Sequence, residues 1–251
     1  MKFRFRAFVL HLLASAIVLT VVLGTLYRGW YYWPGWYLAG VGQVVLVLAG
    51  VDLCLGPLLT LVIASPRKVR HALARDVGII VAVQLCALVY GTLALWNGRP
   101  LYYAFSENVL QLVQAYDVDP HELAVAQEQH LELAPHWYSV PRWIWAPLPQ
   151  DANEAKRIMS SAIAGGVDVI SMPRYFKHWD DGLPEMRKQL QKLDDSKFFS
   201  PAEKSHLKER MQDAGVATDQ PDTIALLGRG RPLLVVFDVK SLKIAGIFKP
   251  T

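Results

Sequence analysis

The chain has 251 residues, is 53% apolar and carries a formal charge of +4. Its basic residues form no single long stripe, which leaves no case for a nucleic-acid partner. Both cysteines, Cys54 and Cys86, lie in apolar runs, so the polar half offers neither a disulfide framework nor a cysteine metal site.

Three apolar runs crowd the first hundred residues. Residues 7–26 hold no charge and have His11 as their one ionisable group, residues 38–64 hold one charged residue, Asp52, and residues 77–96 hold no charged residue. Each reaches the roughly 20 residues that cross a hydrocarbon core of about 30 Å, and none shows the polar face of a soluble helix. Three transmembrane helices are expected. A signal peptide competes for the first run, but its apolar part is long and bulky YRGWYYWPGW follows in place of a cleavage site.

Lys2, Arg4 and Arg6 share one side of a three-span chain with Arg67, Lys68, Arg70 and Arg75, while the loop between the first two spans carries only Arg28. The positive-inside rule then puts the N-terminus in the cytoplasm and everything after Trp96 outside, which in a bacterium is the periplasm. Tyr27, Trp30, Tyr31, Tyr32, Trp33, Trp36 and Tyr37 form an aromatic belt at the outer interface. The expected division is a three-span domain over 1–97 and an outer domain over 98–251.

Asp52 lies about 12 residues from the inner end of its span, roughly 18 Å at 1.5 Å per residue. Ser15, Thr20, Gln84 and Tyr90 are the polar residues near that depth on the neighbouring spans. The carboxyl is therefore expected to be protonated and bonded between helices, or to meet a group on another protein. Gly56 permits close helix approach and Pro57 loosens the backbone ladder. A packing knot and a functional contact both fit. An aspartyl protease pair with Asp76 does not, because Asp76 sits at the cytoplasmic edge and a shared-proton dyad needs carboxyls about 3 Å apart.

Beyond Asn97 the pattern is mixed. GRPLYYAFSE, VLQLVQAYDV and PRWIWAPLP read as strands. DPHELAVAQEQ reads as a helix capped by Asp119 with Pro120 in its first turn. DANEAKRIMSSAIAGG reads as a helix capped by Asp151, with Glu154 at the capping-box position and Gly165-Gly166 as its stop. LPEMRKQLQKL and SPAEKSHLKERMQDAG are further helices, the second started by Ser200, Pro201 and Glu203. The tail reads as a three-stranded meander turning at GRGRP and VKSLK. The expected fold is a three-helix membrane protein followed by a small α+β domain with an antiparallel sheet.

No catalytic constellation stands out, and no cofactor is expected. His121, His130, His136, His178 and His206 are scattered without metal spacing. A metal site from His136, His178 and Asp180 or Asp181 is outweighed by solvated loop histidines. SSAIAGG lacks the strand-to-helix turn of a nucleophile elbow.

GVDLCLGPLLTLVIASPRK, then RDVGIIVAVQLCALVYG, then RPLYYAF resemble the type IV pilin accessory proteins, a family encoded beside pilin genes in some Gram-negative bacteria. The matching positions are Gly50, Val51, Asp52, Gly56, Pro57, Leu58, Leu59, Thr60, Gln84, Tyr90, Gly91, Arg99, Pro100 and Tyr102. AIAGGVDVISMPRYF is similar to the family's Gly-Gly-x-Asp-Leu segment before Pro-x-Tyr, through Gly165, Gly166, Asp168, Pro173 and Tyr175. Ser65-Pro66-Arg67-Lys68 departs mildly from the family's Asn-Pro-Lys-Lys and keeps its charge.

The resemblance implies a non-enzymatic inner-membrane helper or chaperone for the stability and assembly of a cognate major pilin. Its partners would be the pilin's transmembrane helix and globular head, the lipid bilayer and inner-membrane pilus assembly components. Asp52, Gly56, Pro57, Thr60, Gln84 and Tyr90 become candidate partner contacts within the membrane. Arg99, Pro100, Tyr102, Gly165, Gly166, Asp168, Pro173 and Tyr175 mark the outer domain. A membrane enzyme using Asp52 on pilin or envelope components, and a ligand-binding envelope sensor, are the alternatives.

Overall fold

The computed structural model describes residues 2–216, 221–238 and 241–250. Among them, three helices are long and apolar enough to cross a membrane: Lys2–Tyr31, Gly42–Ile63 and Arg70–Asn97. The first is α1 (Lys2–Leu26) prolonged by a π-helical turn, Tyr27–Tyr31. A short α2 (Gly35–Ala39) follows, and Gly40 ends it at φ +65°, a conformation glycine adopts without penalty. That break shortens the second span at its start, so Leu38 and Ala39 lie outside it. The span itself is α3 (Gly42–Ala49), a π-helical turn (Gly50–Leu55) and α4 (Gly56–Ile63), and the third is α5 (Arg70–Asn97).

The chain divides into two compact units, Met1–Tyr32 with Val41–Gly98, and Trp33–Gly40 with Arg99–Thr251. In the first, the outward faces are apolar: Leu10, Ile17, Leu46, Val62 and Val83 are all exposed. Water would penalise such a surface, and hydrocarbon does not. Inside the unit, Gly91 leaves room for Leu48, whose side chain lies 2.4 Å from where a Cβ would stand. Tyr31 Oη donates to the Leu95 carbonyl at 2.7 Å.

The second unit is an α+β domain with an eight-stranded curled sheet. Its elements are β1 (Pro100–Ser106), β2 (Val109–Gln114), α6 (Pro120–Glu128), β3 (Arg142–Trp145), α7 (Ala152–Ile163), β4 (Lys177–His178), α8 (Trp179–Gln189), β5 (Gln191–Lys192), α9 (Pro201–Asp213), β6 (Asp222–Leu227), β7 (Leu233–Phe237) and β8 (Ile244–Phe248). The sheet runs β4-β3-β1-β2-β6-β7-β8, with β5 also on β6. Pairing is antiparallel, as expected, except that β3 lies parallel to β1 and β6 parallel to β2. Both exceptions join strands far apart in the chain, with β2 and α6 between β1 and β3 and the elements from α6 to α9 between β2 and β6, the long connections that parallel neighbours need. The two-residue strands β4 and β5 are too short to leave an alternation in the sequence.

Local signals set the helix starts. Asp119 accepts from Glu122 N–H at 2.9 Å and Asp151 from Glu154 N–H at 2.8 Å. α8 begins at Trp179, four residues ahead of the LPEM reading, with Pro184 inside it. The meander forms as read; within its second turn, Val239 and Lys240 lie outside the described residues. Among the described residues, one core gathers around Tyr102, Ile144, Ile158 and Phe176 and another around Leu207, Met211, Leu234 and Val236. The Trp33–Gly40 segment joins this unit through a hydrogen bond from Arg229 N–H to the Leu38 carbonyl at 2.7 Å.

The cap of α9 is reciprocal: Ser200 Oγ accepts from Glu203 N–H, and the Glu203 carboxylate accepts from Ser200 N–H at 2.9 Å. Ser200 Oγ–H also donates to that carboxylate at 2.8 Å, and the two donors hold the Glu203 pKa below its ordinary value. Their contribution is present near neutral pH and fades as pH falls through the lowered pKa, whereas the bond from Glu203 N–H to Ser200 Oγ does not titrate. Ser200→Ala should cost about 1 kcal/mol at neutral pH. In thermal unfolding of the solubilised chain, its deficit against wild type should narrow in part on acidification; an unchanged deficit would refute a contribution from the Ser200 hydroxyl to the Glu203 carboxylate.

Candidate functional site

The second span bulges at Asp52. In the π-helical turn Gly50–Leu55 the ladder reaches one residue further than in an α-helix, and Gly56 N–H donates to the Val51 carbonyl. The next rung would run from residue 57 to the Asp52 carbonyl, but residue 57 is Pro and has no N–H. Gln84 of the third span supplies the missing donor: its Nε2 lies 3.2 Å from the Asp52 carbonyl and 3.5 Å from that of Val51. For the amide to reach there, residue 56 must have no side chain. A Cβ on Gly56 would stand 2.1 Å from Gln84 Nε2. Gly56, Pro57 and Gln84 thus form one unit.

The other end of that amide meets the first span. His11 Nε2 lies 2.7 Å from Gln84 Oε1, and His11 Nδ1 lies 2.6 Å from Thr60 Oγ1. Because Oε1 can only accept, Nε2 carries the proton, and in a neutral imidazole Nδ1 then accepts from the Thr60 hydroxyl. A continuous chain of bonds therefore runs Thr60, His11, Gln84, Asp52 carbonyl, tying all three spans. The Asp52 side chain, 5% exposed, lines a cavity of about 130 Å³ with His11, Ser15 and Gln84. In hydrocarbon such polar groups are costly unless bonded to one another.

Of the intramembrane candidates, Asp52, Gly56, Pro57, Thr60 and Gln84 come together here, whereas Tyr90 is 78% exposed on the outer surface of α5. His11 joins them from the first span, a member that residue type alone does not single out. Its signal was available: it lies four residues inside the first run, and Thr60 lies four inside the matching end of the second.

The outer motif builds a scaffold. Pro100 opens β1 and the Arg99 carbonyl accepts from Ala115 N–H at 2.9 Å. Tyr102 Oη donates to the Leu133 carbonyl at 2.6 Å and its ring meets Phe176 edge-on at 4.9 Å; burial raises its pKa. Gly165, at φ +79°, ends α7, and a Cβ on Gly166 would stand 2.6 Å from Ser161 Oγ. Asp168 accepts from Val169 N–H at 2.6 Å. Pro173 opens a short turn that carries Arg174 to 2.7 Å from Glu122.

Tyr175 Oη donates to Glu154 Oε1 at 2.6 Å, so Glu154 turns toward Tyr175 rather than completing the expected capping box. Burial and this bond push the Tyr175 pKa up to about 12.

Among the described residues, Asp119, His121 and Glu122 bring metal-competent atoms within 4.8 Å of one another. Asp119 already caps α6 and Arg174 already neutralises Glu122, so a cation would have to displace the guanidinium. His178 lies 3.3 Å from Glu132, and His136 stacks on Tyr138 at 5.5 Å.

Gln84→Leu should destabilise the bundle, since it deprives the Asp52 carbonyl of its donor and His11 of its acceptor. Pro57→Ala restores a backbone N–H at residue 57 and should make the same Gln84→Leu change cheaper, with a coupling of about 0.6–1.7 kcal/mol. A double-mutant cycle in detergent unfolding checks this, and strict additivity would disprove it.

No family model matches the chain, and no solved structure matches it. It is 24% identical over 234 residues to the fimbrial assembly protein of serogroup E1 of Dichelobacter nodosus, spanning 91% of this chain and 88% of that protein. The serogroup I protein of the same organism gives the same identity and coverage. The protein of serogroups C1 and C2 is 28% identical over 117 residues, 47% of this chain and 89% of that one. Over most of its length the chain is a homologue of fimbrial assembly proteins, in keeping with the type IV pilus-related family that its motifs resemble.

Proposed function

We propose that this protein is a non-catalytic accessory factor, a chaperone in the broad sense, that supports the stability and assembly of a cognate type IV pilin at the bacterial inner membrane. The observation that carries this reading is the similarity to fimbrial assembly proteins over 91% of the chain. In this reading the N-terminus is cytoplasmic, the membrane part covers residues 1–97 and the domain over 98–251 is periplasmic. The basic clusters at residues 2–6 and 67–75 support that orientation. The Trp33–Gly40 loop, which packs with the α+β domain, supports the count of three spans: in a three-span chain, that loop and everything after the third span share a side.

The three-span bundle meets the transmembrane helix of the pilin, and the outer domain meets its globular head. Asp52, Gly56, Pro57, Thr60 and Gln84 act in the membrane as one hydrogen-bonded unit, with Tyr90 offering a phenol on the outward face. Arg99, Pro100, Tyr102, Gly165, Gly166, Asp168, Pro173 and Tyr175 act by holding the outer domain in shape. Asp52 works here through a hydrogen bond rather than through charge, because burying a naked carboxylate at a helix centre costs about 2.5–3.5 kcal/mol on insertion scales.

Deletion of the gene should leave a correctly processed pilin that is unstable or unassembled, read by pilin quantity, pilin length and surface pili. Unprocessed prepilin would instead support an enzyme. Asp52→Asn should retain most pilus assembly, while Asp52→Leu should lose it with the protein still present. An Asn variant as damaging as the Leu variant would overturn the hydrogen-bond account.

A further inference from the structure

We infer that the seam between the first and third spans is a seat for one transmembrane helix of another protein, which brings a single hydrogen-bond donor to the Asp52 carboxyl. The inference deepens the function proposed above and rests on its premise of a membrane-anchored partner.

Two helical faces form the walls. His11, Ala14, Ser15 and Val18 stand at i, i+3, i+4 and i+7 on α1, and Val81, Gln84, Leu85 and Leu88 repeat that spacing on α5. Between them is the cavity of about 130 Å³, with Asp52 of the second span as its floor. The rims are open and the floor is not: Val18 is 44%, Leu85 51% and Asp52 5% exposed. Ala14 and Ser15 are small, which lets another backbone approach closely, as small residues do at helix contacts in lipid. The His11–Gln84 bond fixes the depth of the slot by holding both walls to one polar layer.

The chemistry of the slot selects its occupant. An acyl chain could cover the aliphatic rims but carries no donor for the carboxyl. A polypeptide that enters hydrocarbon must satisfy its own backbone, so it enters as a helix. A second copy related by a two-fold axis would set concave face against concave face, which leaves the slot unfilled. The Gln84 amide already donates to the Asp52 carboxyl, whose second oxygen can accept one more donor; a convex helix with one donor side chain matches both the shape and that oxygen.

The test uses the full chain in pilus-forming cells, with a photo-reactive phenylalanine analogue at Ala14 and, as a control, at Leu46, which is 73% exposed on the second span and absent from the slot lining. The expected result is a product specific to position 14, whose cross-linked peptide maps to a membrane-spanning helix of a different protein. Its yield should fall about fivefold with Asp52→Leu, the scale of one interhelical hydrogen bond, and persist with Asp52→Asn. Ser15→Leu fills the slot while leaving Asp52 in the sequence and should abolish the product even where Asp52→Leu fails to accumulate. Products to lipid only, to a second copy of this chain, or equally from Leu46 would overturn the inference. If the captured helix belongs to a protein other than a pilin, the slot stands and the pilin reading falls. If deletion destabilises pilin but Ala14 captures no helix, the pilin reading stands and the slot falls.

Discussion

One absent proton organises the membrane half of this protein. Pro57 cannot donate to the Asp52 carbonyl, and in hydrocarbon no water is at hand to take its place. The π-helical turn at Gly50–Leu55 leaves that carbonyl facing the third span, where the Gln84 amide reaches it at 3.2 Å. The amide can come that close only because residue 56 is glycine. A proline that would merely kink a soluble helix here obliges a neighbouring helix to contribute a side chain.

The consequence passes along the amide. Once Gln84 donates through Nε2, its Oε1 is committed to accept, which selects the tautomer of His11 and hence the direction of the Thr60 hydroxyl. Individually such interhelical bonds are modest, averaging about 0.6 kcal/mol where measured in a membrane bundle. Their weight lies in the alternative, a set of buried polar groups with nothing to bond. Asp52 meets the Gln84 amide through both its carbonyl and its carboxyl, and its side chain also lines the cavity.

In the α+β domain the same economy appears with water nearby. Arg174 lies against Glu122 and over the Tyr175 ring at 4.7 Å, while Tyr175 bonds Glu154. The Pro173–Tyr175 turn thereby gathers α6 and α7 onto one side of the sheet. The Arg-Pro-x-Tyr motif enters from another direction, with Tyr102 pinned to the Leu133 carbonyl. These positions are structural fasteners, and a partner would read the surface they hold in place.

Local chemistry determined much of this protein before any tertiary contact formed. Length and hydropathy specify the three spans, because a bilayer demands about 20 apolar residues whatever packs beside them. Asp119, Asp151 and Ser200 specify helix starts, because a cap bonds backbone only two or three residues away. Tertiary structure decided the rest. The π-helical turn arises where Pro57 meets Gln84, 27 positions apart in the chain. His11 became part of the site only when packing brought Thr60 and Gln84 to its two ring nitrogens. Glu154 stood where a capping box would use it, and the more distant Tyr175 took its carboxylate. Parallel ladders and the docking of Trp33–Gly40 likewise depend on chain reversals and crossovers that leave no local periodicity. Composition and short-range hydrogen bonding are written along the chain, but the pairing of distant polar groups is settled by which of them the packed helices leave without water.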